Sequence, residues 1–314
     1  MKCAICNNET ISPLINIYDD RHGYPGIFTV VKCNTCDHKS LNANFDMDQI
    51  KTLYTNYYPR ASFNLDQFHP YKEINALRSW LEGSHSFAFR WIPKNVRVLD
   101  IGCGYGETLG YHQSRGCDVY GVEVDENIRP VAEKFGYKIN VGLFDPNNYP
   151  PGFFDYVTMD QVIEHLSNPV ETLRGINNIL KPGGVLILGT PNPNGWGAYF
   201  FRNSWINWHT PYHLQLFSVK SMRFLAEETG MTLELVKTVT NSDWLLFQWI
   251  HLLMRPEMGK RSAFWNQNTK KNIAHKAIIT ITKWFHILKI NHVITRFFDA
   301  IGLGDNYVFF LRKN

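Results

Sequence analysis

The chain has 314 residues, of which 44% are hydrophobic and 14% aromatic, and its formal net charge is +4. This length permits one large domain with an attachment, or two domains. No segment has the roughly 18 uncharged apolar residues of a transmembrane helix, and the N-terminus lacks the apolar core and cleavage site of a signal peptide. We therefore expect a cytoplasmic protein whose six cysteines are thiols or metal ligands rather than disulfides.

Residues 1–45 contain two Cys-x-x-Cys pairs, which are Cys3 with Cys6 and Cys33 with Cys36. The two thiolates of such a pair can occupy two corners of a tetrahedron, so two pairs indicate a structural zinc ion. Between the pairs, residues 28–32 predict a strand that leads into the second pair, as in zinc ribbons. The alternative, a redox dithiol, needs only one pair in a thioredoxin-like setting. We predict a zinc-ribbon-like domain over residues 1–45.

Nucleic acid is not an expected partner of this segment. Its cations are matched in number by acids, so it has no electrostatic footprint for phosphates. Residues 46–70, which are polar and aromatic, predict a linker packed on both neighbours. The spacing of apolar residues between positions 74 and 87 then predicts a helix that leads to the first strand of the next domain.

The central motif of the chain spans residues 96–106 and reads Val-Arg-Val-Leu-Asp-Ile-Gly-Cys-Gly-Tyr-Gly. A short apolar run that ends in an acid and in alternating glycines predicts a buried parallel strand and a tight turn, where backbone N–H groups approach a ligand. The dinucleotide fingerprint has a glycine at its sixth position, where this chain has Glu107. Because a carboxylate there would repel a pyrophosphate, NAD is disfavoured.

Strands and helices alternate after this motif, which indicates a parallel, doubly wound sheet. Helices are predicted at residues 128–135, 170–180 and 218–230. Further strands are predicted at residues 118–123, 137–141, 153–159, 185–189 and 231–240. Residues 306–311 predict a last strand, which we expect to be antiparallel.

The glycine motif resembles motif I of the class I S-adenosylmethionine (SAM) methyltransferases. Three later strings resemble a bacterial subfamily of these enzymes from glycan and secondary-metabolite clusters, namely residues 159–166, Thr190-Pro191-Asn192 and residues 205–217. The resemblance covers roughly residues 96–240. It implies an α/β fold with a Rossmann-like, mostly parallel sheet whose last strand is antiparallel. With the N-terminal cysteines, this gives a small zinc ribbon, a linker and a methyltransferase domain over residues 71–314.

The resemblance also implies where SAM binds. Asp100 matches the motif I acid, which helps to place the methionine end of the cofactor, and Glu123 at the tip of the second strand can accept hydrogen bonds from both ribose hydroxyls. Leu143 and Phe144 stand where many relatives carry an adenine-binding acid, so apolar contact and backbone groups are expected there. The other predicted cofactor contacts are Gly102, Cys103, Gly104, Tyr105, Gly106, Val124, Asp160 and Gln161.

A hydroxyl acceptor needs a group that accepts its proton, and a neutral imidazole suits neutral pH. His213 is the first candidate for this base, followed by His165 and His209. Glu164 and His165 either orient the cofactor or acceptor, or only cap the following helix. The expected acceptor is a hydroxyl of a sugar or glycan precursor. The alternatives are C-methylation of a nucleotide-linked keto sugar, methylation of a quinone or other small molecule, and a non-catalytic zinc-ribbon binding module.

Residues 241–314 carry the positive charge, with 11 Lys and Arg against 4 Asp and Glu. Within residues 241–300, a helical insertion or lid is predicted from two apolar stretches at residues 244–254 and 278–298. In the second stretch the apolar residues recur near helical spacing, with Lys276, Lys283 and Lys289 interleaved. The helices either pack on the sheet edge and on each other, or form a lid that also contacts an anionic membrane surface peripherally.

Overall fold

The computed structural model describes residues 2–43, 45–58, 64–266 and 269–314. Residues 59–63 of the predicted linker therefore lie outside the described residues. The strands of the described residues are β1 (Ile11–Ile17), β2 (Phe28–Cys33), β3 (Lys39–Leu41), β4 (Arg97–Ile101), β5 (Asp118–Glu123), β6 (Lys138–Val141), β7 (Phe154–Asp160), β8 (Leu180–Pro191), β9 (Gln215–Leu216), β10 (Met231–Thr238) and β11 (Asn306–Lys313). Their α-helices are α1 (Met47–Thr52), α2 (Ala76–Glu82), α3 (Glu107–Gln113), α4 (Arg129–Phe135), α5 (Pro169–Ile179), α6 (Trp196–Phe201), α7 (Val219–Glu228), α8 (Ser242–Leu253), α9 (Ile273–Ile287) and α10 (Ile290–Ala300).

A seven-stranded sheet forms the centre of the molecule, in the order β10-β11-β8-β7-β4-β5-β6. Strands β4 to β8 run parallel to one another, whereas β11 runs antiparallel to both β8 and β10. Residues such as Val98 and Leu99 of β4 are completely buried, as expected for a parallel strand covered on both faces. The predicted Rossmann-like sheet and its antiparallel last strand are confirmed.

The helix predicted from the apolar spacing at residues 74–87 is shorter than that pattern. It spans only Ala76–Glu82, because Gly83 adopts a left-handed conformation with φ of +72° and ends it. A Cβ at Gly83 would lie 2.0 Å from the carbonyl oxygen of Thr240, so no larger residue fits there. Leu77 and Trp80, two apolar residues of that spacing, are 72% and 58% exposed.

A second sheet joins the N-terminal residues to the rest of the chain. Its order is β1-β2-β3-β9, and the strand predicted at residues 28–32 is confirmed as β2. Strand β9 comes from the segment after β8, and its Leu216 pairs with Lys39 of β3. The buried Ile5 belongs to the same hydrophobic core as Leu99 of the large sheet. The predicted boundary at residue 45 therefore crosses a shared sheet and a shared core.

Within residues 241–300, both apolar stretches form helices. The first apolar stretch forms α8, which buries Leu245, Leu246 and Ile250. The second forms α9 and α10, which are separated by Lys289 with φ of +64°. The apolar side chains that recur near helical spacing in this stretch are largely exposed, namely Ile281, Trp284, Phe285, Leu288, Val293 and Phe297. Among the described residues, no helix is both long enough and apolar enough to cross a membrane.

The shared core predicts that the N-terminal segment unfolds together with the large sheet. Ile5→Ala should lower the free energy of unfolding by about 2–5 kcal/mol, the usual loss for truncating a buried isoleucine. The control is Leu14→Ala, because Leu14 lies in the same small sheet but is 44% exposed. Urea denaturation followed by far-UV circular dichroism measures both variants. If Ile5→Ala does not shift the main unfolding transition, the N-terminal segment folds separately from the large sheet.

Candidate active site

Three glycines shape the loop that follows β4. Gly102, Gly104 and Gly106 have φ angles of +76°, +57° and +93°, in the left-handed region that favours glycine. At Gly102 a Cβ would also lie 2.5 Å from Cγ2 of Val162. At Gly104 a Cβ would meet nothing within 4 Å, so the loop backbone faces open space on that side. This loop, residues 102–106, is called the glycine loop below.

The carboxyl group of Asp100 lies buried directly before the glycine loop. It accepts hydrogen bonds from the Thr108 hydroxyl on α3 and, at 2.7 Å, from the Thr158 hydroxyl on β7. Burial raises the pKa of Asp100 to about 6, although these two hydrogen bonds favour its ionised form. Asp100 therefore ties the end of β4 to both neighbouring elements.

Glu123, at the end of β5, connects that strand to the glycine loop. Its Oε2 accepts a hydrogen bond from the Gly104 N–H at 2.9 Å. Its Oε1 accepts from the N–H groups of Val124 and Asp125, at 2.8 and 3.0 Å. Val124 is 62% exposed, and Leu143, beyond the next strand, is 84% exposed. A carboxylate flanked by two exposed apolar side chains thus lies beside the glycine loop.

Other predicted cofactor residues are engaged within the protein. The Cys103 side chain is buried in the core, and its Sγ would lie 2.7 Å from a Cβ at Gly121. Asp160 accepts hydrogen bonds from the N–H groups of Ala88 and Phe89. Burial raises its pKa to about 7.

The remaining predicted contacts are also held by the fold. Nε2 of Gln161 donates to Oδ1 of Asn306 at 2.9 Å. Tyr105 and Phe144 are half-buried and pack against the hydrophobic core. For these residues and for Cys103 and Asp160, contact with a cofactor stays a prediction.

The three predicted histidines lie together. The ring centroid of His213 is 4.7 Å from that of His165 and 4.9 Å from that of His209. Nδ1–H of His165 donates to the Tyr212 carbonyl at 2.9 Å, and Nδ1–H of His213 donates to the Asn207 carbonyl at 2.8 Å. A carbonyl oxygen can only accept a hydrogen bond, so Nδ1 of each of these imidazoles carries the hydrogen. In the neutral ring, Nε2 therefore carries the lone pair.

Burial keeps this histidine cluster (His165, His209 and His213) uncharged. It lowers the pKa of His165 to about 4 and the pKa values of His209 and His213 well below 6.5. The buried Glu164 beside them has its pKa raised to about 8, also by burial. One ligand atom each of Glu164, His165 and His213 lies within 4.8 Å of the others. The site therefore holds neutral proton acceptors next to a neutral carboxyl group.

Sequence reasoning missed the N-terminal contribution to this cluster. The ring of His22 lies 5.7 Å from that of His209 and 5.3 Å from that of Tyr212. Asp19 fixes the turn by accepting hydrogen bonds from the N–H groups of Arg21 and His22. The only signal in the sequence was the polar run Asp-Asp-Arg-His between two strands, which says nothing about its distant partner.

The glycine loop and the histidine cluster lie at the same edge of the sheet. Ile101 of β4 pairs in parallel with Met159 of β7, so both strands end side by side. The segment after β7 contacts the loop through Val162, and the 3-10 turn Ile163–His165 follows at once. A ligand on the glycine loop and a second ligand at the histidines would therefore be neighbours.

The four N-terminal cysteines form a separate cluster. Sγ of Cys3 lies 3.6 Å from Sγ of Cys36, and Sγ of Cys6 lies 3.6 Å from Sγ of Cys33. All four sulfurs are within 4.8 Å of one another. Zn–S bonds of about 2.3 Å in a tetrahedron place sulfurs about 3.8 Å apart, whereas a disulfide requires about 2.05 Å. The donor set and its spacing fit a tetrahedral metal ion such as zinc.

Comparison with known proteins finds similarity to methyltransferases. Ubiquinone biosynthesis O-methyltransferase of Azoarcus sp. (strain BH72) is 32% identical over 143 residues, which are 43% of this chain and 58% of the relative. The enzyme of the same name from Dechloromonas aromatica (strain RCB) is 32% identical over 136 residues, 41% of this chain and 56% of the relative. The match therefore spans less than two thirds of these relatives. A solved SAM-dependent methyltransferase from Archaeoglobus fulgidus has a TM-score of 0.43 and 21% identity, covering 72% of this chain and 88% of that one.

A family model described as a methyltransferase domain matches residues 73–236. This range holds strands β4 to β8, the glycine loop and the histidine cluster. The chain therefore belongs to the methyltransferase-domain family.

Proposed function

We propose that this chain is a SAM-dependent O-methyltransferase that acts on the phenolic hydroxyl of a quinone-type or similar small aromatic molecule. The observation that carries the proposal is the position of the glycine loop beside a cluster of neutral, buried histidines. A methyl donor on the loop and a hydroxyl at the histidines would meet at one edge of the sheet.

The residues around the glycine loop suit SAM. Glu123 offers two carboxylate oxygens to the vicinal ribose hydroxyls, and Asp100 lies under the methionine end that the family resemblance implies. The exposed Val124 and Leu143 can sandwich an adenine ring, in place of the acid that many relatives carry. When bound, SAM supplies an electrophilic methyl group on a positively charged sulfonium. An uncharged pocket favours the loss of that charge in the transition state.

The histidine cluster supplies the acceptor side. Nε2 of His213 can accept the hydroxyl proton, while Nδ1–H remains bonded to the Asn207 carbonyl and holds the ring in place. The neighbouring carboxyl of Glu164 can stabilise the resulting imidazolium by accepting a hydrogen bond from it. His165 is the second candidate for this role, and the Nε2 atom of His209 has no hydrogen-bond partner among the described residues.

The lowered pKa of His213 bears on the choice of acceptor. A histidine with a low pKa is a weak base, so it best serves an acceptor whose hydroxyl is itself acidic. A phenol, with a pKa of about 10 like that of tyrosine, fits this requirement better than a sugar hydroxyl. The sequence motifs favour a sugar hydroxyl, whereas the names of the relatives, ubiquinone biosynthesis O-methyltransferases, support the quinone alternative.

Glu123→Ala should weaken SAM binding by about 1.5–3 kcal/mol, the contribution of hydrogen bonds to a charged group. Isothermal titration with SAM measures the loss. The matched control is Glu126→Ala, which removes an exposed carboxylate three residues further along the same loop. If the wild-type chain gives no heat at millimolar SAM, the methyltransferase proposal fails and the non-catalytic alternative gains support.

His213→Gln should lower turnover by about 10²–10⁴-fold, as expected for the loss of a general base, without changing SAM affinity. Glutamine can still donate to the Asn207 carbonyl but cannot act as a base. The assay is methyl transfer to a panel of catechols, demethylated quinone precursors, nucleotide sugars and lipid-linked saccharides. His165→Gln, measured in parallel, decides which histidine is the base. Loss of SAM affinity in step with turnover would rule out an acceptor-side role.

We also propose that Cys3, Cys6, Cys33 and Cys36 hold one structural zinc ion in a zinc-ribbon-like domain over residues 1–45. In this proposal, residues 46–70 link it to the methyltransferase domain of residues 71–314. The support is the spacing of the sulfurs and the position of the cluster in the shared core. The Ser218 hydroxyl, at the N-cap of α7, donates to the Cys36 carbonyl at 2.9 Å, so the metal would also steady that helix.

Elemental analysis should find about one zinc per chain, because a closed four-thiolate site binds zinc tightly. Cys33→Ser should lose the metal and lower the free energy of unfolding. Cys117→Ser is the matched control, since Cys117 is also buried but lies outside the cluster. Well under one zinc per chain, in protein purified without chelator, would contradict the proposal.

A further inference from the structure

Helix α10 turns its apolar side chains outward. Val293, Phe297 and Ile301 follow one another at a spacing of four residues and are 65%, 61% and 54% exposed. The buried residues of this helix are polar, namely Asn291, His292, Thr295 and Arg296. A surface helix normally buries its apolar stripe and exposes its polar face. The amphipathic pattern of α10 is therefore inverted with respect to water.

Helix α9 also exposes an apolar stripe, although Ile278 and Ile279 on its inward face pack against the buried residues of α8. Ile273, Ile281, Trp284 and Leu288 fall on one face at helical spacing and are 56–87% exposed. The opposite face buries Thr282, whose hydroxyl bonds back to the Ile278 carbonyl. An apolar stripe on two successive helices thus faces away from the core.

The exposed apolar surface continues onto α6. Tyr199 and Phe200 are 76% and 59% exposed, and the Phe200 ring lies 5.7 Å from that of Phe298 on α10. Phe298 in turn stacks on Trp196 with a centroid distance of 4.6 Å. Helix α6 follows β8 at the edge of the sheet that carries the candidate active site. We call the exposed apolar residues of these helices the apolar helix surface: Tyr199, Phe200, Ile273, Ile281, Trp284, Phe285, Leu288, Val293, Phe297 and Ile301.

Cations outnumber acids in this region. From residue 258 to residue 298 the sequence contains no Asp or Glu, while its cations are Lys260, Arg261, Lys270, Lys271, Lys276, Lys283, Lys289 and Arg296. Lys276 and Lys283 are exposed along one flank of the α9 stripe, and Lys289 is exposed between the two helices. Asp243 contacts His286 at 3.2 Å, and Asp299 on α10 pairs with the buried Arg296. The apolar helix surface therefore has a cationic border.

We infer that the apolar helix surface docks peripherally on an anionic lipid bilayer. Exposed aromatic and aliphatic side chains enter the interfacial zone, where Trp and Phe are favoured, while the lysines reach the lipid phosphates. A second copy of the chain fits less well, because a two-fold interface would place Lys276, Lys283 and Lys289 against the same cations. The inference does not rest on the proposed function, although a membrane-dissolved acceptor would be presented beside the active site.

Sedimentation of the full chain with vesicles tests this inference. Binding to vesicles containing phosphatidylglycerol should exceed binding to pure phosphatidylcholine vesicles and should fall at high salt. Lys276→Ala with Lys283→Ala should lower the partition coefficient about thirtyfold, since each cation near such a surface contributes about 1 kcal/mol. The matched control is Lys220→Ala with Arg223→Ala, which removes two exposed cations from α7 and should leave binding unchanged.

The apolar contribution has its own pair of variants. Trp284→Ser with Phe297→Ser should reduce binding at both low and high salt, with the fold checked by circular dichroism. Ile27→Ser with Leu235→Ser removes exposed apolar side chains elsewhere and should bind like the wild type. Equal, negligible binding to both lipids overturns the inference. The inference is also overturned if the chain does not bind vesicles but forms a dimer that Phe297→Ser dissociates. In that case the apolar helix surface binds a second copy of the chain.

Discussion

The parallel pairing of β4 with its neighbours is the constraint on which the rest of the structure depends. It brings the ends of β4, β5 and β7 to one edge of the sheet, and there the backbone of Gly102 touches the Val162 side chain. A Cβ at Gly102 would clash with a Val162 methyl group, because the two carbons would lie 2.5 Å apart. The absence of that one atom allows the glycine loop and the histidine-bearing turn to lie side by side. Both halves of the candidate site are thus fixed by the same contact.

The N-terminal segment is the second structural support of the site. The short pairing of β3 with β9 holds residues 215–216, which immediately follow the His209–His213 stretch. The same segment inserts His22 against His209 and places buried Arg21 over the Trp265 ring at 4.3 Å. A change in the cysteine cluster can therefore reach the histidines through one small sheet. The cysteine cluster is therefore part of the architecture that supports the candidate site.

Burial shifts several ionisable groups at this edge towards their neutral forms. Burial raises the pKa of Asp160 to about 7 and that of Glu164 to about 8, while it lowers the pKa of His22 to about 3 and that of His165 to about 4. An uncharged environment suits a reaction in which a cationic donor becomes neutral. Away from this edge, helices α9 and α10 expose apolar side chains that are bordered by lysines.

The sheet, the glycine loop and the pairing of the cysteines could be predicted from the sequence, because these features depend on local patterns. The run from Val96 to Leu99 specifies a buried strand, and the alternating glycines specify a loop that other residues cannot form. The sequence also singled out His165, His209 and His213, although only through motif resemblance. Their mutual contact was decided by the tertiary structure, since His165 is 44 residues from His209 in the chain.

The contacts of the N-terminal segment and the orientation of α9 and α10 could be seen only in the tertiary structure. His22 joins the histidines through a strand pairing between residues 39–41 and 215–216, and local sequence carries no information about such a distant partner. The spacing of apolar residues in α9 and α10 predicted amphipathic helices, but periodicity does not say which face points inward. That choice depends on what the rest of the fold offers for packing, and here α10 buries polar residues while apolar side chains of both α9 and α10 remain outside.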